Sequence, residues 1–147
     1  MDELRATFDR YKAQRSQLGP DLAADLQGFI VVRMAGALEQ ATFLSIDGYM
    51  FEHTMGTARE FASSWFYRAP SLKSKEYQQL IARFGSPISD DFKSFINEGL
   101  RREELDGLMN VRHDVAHGKS YSSSYSKLTT YLRLVEELIE WLKANLL

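Results

Sequence analysis

Within the 147-residue chain, Arg112 and His117 are the side chains whose types and spacing offer chemistry. A guanidinium is always charged and fits phosphate, while an imidazole exchanges protons near neutral pH. Both lie in the run Asn110-Val111-Arg112-His113-Asp114-Val115-Ala116-His117-Gly118. At about 100° per residue, Leu105, Leu108, Met109, Val111, Val115 and Ala116 define an apolar stripe with Arg112 almost at its centre. A guanidinium there must meet a carboxylate, a subunit interface or an anionic ligand. A buried ion pair with Glu39 or another carboxylate is the plainer reading. His117 stands just before Gly118, where open carbonyls and the helix dipole favour the imidazolium. Taken alone it is an ordinary polar helix end. The two residues are separated by about 140° round a helix and roughly 7.5 Å along it, so they do not share a face. That geometry suits two copies meeting across a symmetric interface, each giving Arg and His to a common cleft.

His113 and His117 are also four residues apart, with Asp114 beside the first. This H-D-x-x-H order is similar to the two-histidine zinc motif in which Glu follows the first His. A metallohydrolase would need a third ligand, His53 or a carboxylate, and no spacing nominates one. No metal or cofactor is therefore expected. Arg101, Arg102, Lys119 and Lys127 join Arg112, His113 and His117 as a local basic group on the two helices flanking the motif loop. Tyr121 and Tyr125 could stack on bases there. Each basic residue taken singly reads as solvated helix surface.

The elements that must position these residues read as helices. Leu128, Tyr131, Leu132, Val135, Leu138, Ile139, Leu142 and Leu146 recur at three- and four-residue steps, predicting a last helix over 124–145 with a serine cap. A first helix runs from Asp2 to Leu18 and stops at Gly19-Pro20. Asp21 opens a long second helix. Its Phe29-Ile30-Val31-Val32 run is strand-like by propensity but is flanked by helix formers. Apolar residues fall nearly all round it, as expected of a central helix, and Gly28 and Gly36 would permit close helix contacts. Shorter helices are predicted over 57–67, 74–84 and 90–98, the last capped by Ser89 and closed by Gly99. The motif helix follows from Arg101 to His117. The chain is all-α, one domain over 1–147.

Composition bounds the function. Apolar residues at 44% and charged residues at 26% exclude whole-chain disorder. The absence of cysteine excludes disulfide frameworks, Cys-based zinc sites and thiol catalysis. A net charge of −2 argues against nucleic-acid binding through overall charge. The acidic start does not read as a signal peptide, and Arg33 and Glu39 interrupt the most apolar stretch. A cytoplasmic protein with no membrane contact is expected. Trp65, Phe66, Tyr67 and Trp141 serve equally well as core or as a dimer contact.

The run Asn110 to Gly118 resembles the motif of the HEPN superfamily: Arg, a polar residue, and a His after four intervening positions. The stretch Phe29 to Glu39 resembles the second helix of these proteins, especially of the RiboL-PSP-HEPN branch. The resemblance implies a HEPN-like helical bundle with a long central second helix and short additional helices in the middle. It further implies a metal-independent endoribonuclease acting as a homodimer in a toxin–antitoxin or phage-defence system. RNA is then the substrate, and a cognate antitoxin or nucleotidyltransferase a partner. Arg112 and His117 take the catalytic places. His113 occupies the polar position beside Arg, with Asp114, Asn110 and Glu39 supporting the site. Lys119, Arg101, Arg102, Lys127 and Tyr121 would face RNA. One branch of the superfamily carries a tyrosine two residues after the motif His, where a partner nucleotidyltransferase modifies it. Here that position is Lys119 and the nearest tyrosine is Tyr121. A non-catalytic HEPN binding or dimerisation module is the alternative from the same resemblance.

Overall fold

The computed structural model describes residues 1–64 and 72–147, and among them every regular element is helical. The order is α1 (Asp2–Gln14), α2 (Pro20–His53), α3 (Thr57–Ser64), α4 (Ser74–Ile81), α5 (Ile88–Asn97), α6 (Arg101–Ala116) and α7 (Tyr125–Leu146).

Helix α1 buries Leu4, Phe8 and Tyr11, one residue per turn. It ends earlier than the sequence predicts, because its last residues tighten into a 3-10 turn over Arg15–Gln17. Gly19 then caps α2 in an extended conformation and Pro20 takes the first helical position, where a missing N–H costs nothing. The predicted α4 likewise tightens into a 3-10 turn over Ala82–Phe84. Ser89 does not cap α5, which has already begun at Ile88. Instead Ser86 Oγ donates to the Asp90 carboxylate in the first turn at 2.8 Å. Ser124 does cap α7, accepting from the Lys127 amide at 3.2 Å.

Helix α2, about 51 Å long at 1.5 Å per residue, is the spine on which α1, α6 and α7 pack. Ile30, Val31, Met34, Ala35, Leu38 and Ile46 are its core residues. It is the one described helix long and apolar enough to cross a membrane by length and composition. Its inner surface receives the other helices, but Leu22, Phe29, Phe43, Leu44 and Phe51 remain exposed along the opposite side. Among the described residues the spine is thus covered on three sides and exposed along one.

Gly28 and Gly36 part company here. A Cβ at Gly28 would lie 3.3 Å from the Val115 side chain, so the absence of one lets α6 settle on α2. A Cβ at Gly36 would meet nothing within 4 Å. Gly36 is exposed on that outward side, and among the described residues nothing would crowd a side chain there.

Trp141 is core. It is buried, packs against Phe92 and Phe95, and its indole N–H donates to Asp91 at 2.7 Å. Trp65, Phe66 and Tyr67 lie outside the described residues. On the other flank of α6, Asp106 accepts from both the backbone N–H and the hydroxyl of Ser74, at 2.7 and 2.9 Å. A carboxylate of the motif helix thereby satisfies the open N-terminus of α4.

Gly28→Leu should lower stability by about 1–3 kcal/mol, the usual cost of overfilling a packed contact. Gly36→Ala should raise it by about 0.5–1 kcal/mol through helix propensity alone. Urea unfolding followed by circular dichroism measures both.

Candidate active site

The end of α6 is built by backbone geometry. His117 leaves the helix at φ −95° and ψ 17°, and Gly118 follows at φ +80°, in the left-handed region that disfavours any side chain. The Gly118 amide donates to the Val115 carbonyl and the Lys119 amide to the Asp114 carbonyl, both at 3.0 Å. This paired closure turns the chain sharply away and satisfies two open carbonyls. The His117 ring is left exposed at the helix tip.

The loop that follows is tied back to α2 by a residue the sequence reading passed over. Gln27 is buried; its amide NH2 donates to the Tyr11 hydroxyl at 2.7 Å, and its carbonyl accepts from the Ser123 amide at 2.8 Å. The available signal was a lone amide in an apolar stretch of α2, next to Gly28. Tyr121 is half-buried against the core, its Cβ 3.9 Å from where a Gly28 side chain would start.

Arg112 is not sunk in a core. Its side chain is 42% exposed, with Nη2 3.5 Å from Glu39 Oε2, and the Glu39 side chain is 20% exposed. The apolar stripe is fully buried only at Leu105, Leu108 and Met109. Val111 and Val115 are half-covered and Ala116 is exposed, because the last turns of α6 pass the edge of the bundle. The ion pair expected with Glu39 is present, but at the rim.

His113 and His117 stand one turn apart on the outward face, with ring centroids 4.3 Å apart and planes inclined by 60°. Both are exposed, as is Asn110. At 100° per residue, Asn110 falls within about 60° of either ring. Asp114 is paired with Lys119, Oδ1 to Nζ at 2.7 Å. The Lys119 hydrogen bond holds the Asp114 carboxyl below its ordinary range, aided by the nearby His113 and His117. A carboxyl lowered in this way favours the folded chain above the ordinary carboxylate range, and that contribution is lost on acidification.

The basic group does not hold together as the sequence suggested. Arg101 opens α6, about 24 Å from His117 along the helix. Its guanidinium donates to Glu137 and Glu98, at 2.8 and 2.7 Å, and lies over the Phe95 ring. Those two carboxylates bind its proton still more firmly than usual. Arg102 is exposed at the same far end. Lys119, Tyr121 and Lys127 remain at the motif end, with Lys127 Nζ 4.9 Å from the Tyr131 ring centre. Tyr125 is engaged between Phe8 and the Arg15 guanidinium.

His53 does not reach the motif. It stacks on Tyr49 at 4.0 Å and its Nδ1 meets the Tyr49 carbonyl. It lies about 37 Å along α2 from Gly28, which touches α6. Among the described residues no three of His, Cys, Asp and Glu converge as a metal-binding set. The third ligand a metallohydrolase needs is therefore not supplied by His53.

An Arg and a His, four residues between them, close the penultimate helix of an all-α bundle with a long second helix. The RiboL-PSP-HEPN family model matches residues 1–144. The chain belongs to the RiboL-PSP-HEPN family. No curated protein and no solved structure matches it. In this HEPN-type domain the motif helix α6 rests on α2 through Gly28 and Val115, and Glu39 of α2 faces the motif Arg.

Gly118→Ala should cost about 1–2 kcal/mol, because the left-handed backbone then carries a Cβ; thermal unfolding reads the loss. In Lys119→Met, the Asp114 carboxyl should titrate higher than in the unaltered chain, as followed by NMR of its side-chain carbon.

Proposed function

We propose that this HEPN-type domain is an endoribonuclease that cleaves RNA as a cytoplasmic homodimer, in a toxin–antitoxin or phage-defence setting. A cognate antitoxin or a nucleotidyltransferase would be its regulator. The observation that carries the reading is the rim position of Arg112: charged, 42% exposed, and held by a single carboxylate at 3.5 Å. That distance is long for a charge-assisted hydrogen bond, so a phosphate can replace Glu39 without breaking a tight pair. The exposed imidazoles of His113 and His117 stand on the same terminal turns.

Dimerisation is supported by the bare side of α2. Gly36 and Phe43 lie three and four residues from Glu39, and Phe29 is 50% exposed on the same side. A second copy covering this stripe would bring its own Arg112 and His117 toward the first pair. Two guanidiniums facing each other repel until an anion lies between them, which suits a phosphodiester.

RNA brings its own nucleophile, the ribose 2′-OH. One neutral imidazole takes the 2′-OH proton as the oxygen attacks phosphorus. The two arginines hold the charge that develops on the phosphoryl oxygens. The protonated imidazole of the other subunit gives its proton to the leaving 5′-oxygen. The products are a 2′,3′-cyclic phosphate and a 5′-hydroxyl, and no metal-activated water is consumed. Asn110 and His113 can donate to the same phosphate, with Lys119, Tyr121 and Lys127 along the approaching strand. Arg101 and Arg102 stand too far along α6 to share that phosphate.

Incubation with total RNA in EDTA tests the reading. Wild type should yield cyclic-phosphate ends, and His117→Ala and Arg112→Ala should each slow cleavage by about 10²-fold or more while remaining folded and dimeric. On induction in a bacterial host, wild type should arrest growth and both variants should not. Equal inertness of all three would instead favour a non-catalytic HEPN binding module.

A further inference from the structure

The two histidines of α6 form an arrangement that proton transfer alone does not require. His113 and His117 are a turn apart on one face, both exposed, with ring centroids separated by 4.3 Å. An imidazole nitrogen binds Zn²⁺ at about 2.0–2.1 Å, so two nitrogens on one tetrahedral ion stand about 3.4 Å apart. Rings this close, on exposed side chains, meet that spacing by side-chain rotation with no backbone change. Lys119, the lysine beside the two rings, is paired closely with Asp114, and the Glu39 carboxylate offsets Arg112 from 3.5 Å. The C-terminal end of the helix adds negative potential at the same place.

We propose that His113 and His117 chelate one divalent transition-metal ion of the zinc class, one nitrogen from each ring, with water completing its shell. Ligation takes the lone pair of each neutral imidazole and releases water from the ion. The site is inhibitory, not catalytic. The ion occupies the nitrogen with which His117 would move a proton, a consequence that rests on the nuclease reading. With two protein ligands and no third among the described residues, binding is reversible and weaker than in a structural zinc site.

Calorimetric titration of Zn²⁺ into the chelator-stripped, desalted full chain decides the site. Saturable binding is expected, unchanged in His53→Gln and weakened at least about tenfold in His113→Gln and in His117→Gln. Loss of a mere outer partner already costs a metal site about 10–100-fold. Cu²⁺ should bind more tightly and Mg²⁺ should not compete. Circular dichroism confirms that the variants fold. In parallel, Zn²⁺ should slow RNA cleavage over the concentrations at which it binds, and EDTA should restore the rate. Absence of saturable binding, or binding in either His113→Gln or His117→Gln as tight as in the unaltered chain, overturns the site. Binding without any slowing of an active enzyme overturns its inhibitory role. If wild type cleaves no RNA, the nuclease reading falls and the calorimetry alone decides whether the ion is held.

Discussion

The contact between Gly28 of α2 and Val115 of α6 seats the motif end of α6 on the spine. Val115 reaches within 3.3 Å of the position a side chain would take at residue 28, so its side chain fills the space that the glycine leaves open. Around that contact the remaining geometry follows. Glu39 comes within reach of Arg112, Gln27 meets the loop at Ser123, and Tyr121 packs beside the glycine. A helix–helix interface is thus converted into a fixed placement for a guanidinium and two imidazoles. The energy behind it is ordinary apolar burial along α2, α6 and α7. What is specific is where side chains are missing: at Gly28 beneath Val115, and at Gly107 of α6, where a Cβ would lie 2.8 Å from the Tyr131 hydroxyl.

Electrostatics along α6 is arranged in ion pairs near the surface. Arg112 faces Glu39, Lys119 faces Asp114, and Arg101 is tied to Glu98 and Glu137 at the opposite end of α6. Exposed pairs of this kind add little to stability, since water screens them. Their effect is to leave a local surface that is nearly neutral within the chain, with charges an incoming anion can reclaim. The Arg101 cluster differs because its guanidinium is also stacked on Phe95 and bonded to the Phe95 carbonyl. It fastens the start of α6 to α5 and α7.

Much of this was legible in the residues. The periodicity of α7 needed no tertiary knowledge, and Ser124 caps it as a serine there should. The motif His before Gly118 signalled a helix end, and the glycine takes the left-handed conformation that such an end requires. A helical wheel, however, gives direction and not depth. It put Arg112 on the apolar side correctly, yet could not say that the last two turns are only half-covered. It could not separate Gly28 from Gly36, because only the partner helix distinguishes a contact from a bare surface. Arg101 and His117 looked like one basic group because sequence proximity hides the length of a helix. Gln27 was missed because its importance lies in two partners, Tyr11 and Ser123, that are remote in the chain.

Gln27 carries a consequence for motion. Its one amide group satisfies the Tyr11 hydroxyl with its donor end and the Ser123 amide with its acceptor end. If the loop lifts, a buried acceptor is stranded, and the side chain that re-solvates it must turn away from Tyr11 as well. The seating of the N-terminal helix and that of the segment beyond His117 are therefore linked through this one side chain. Loosening at Tyr11 thus eases release at Ser123, although the two residues are remote in the chain.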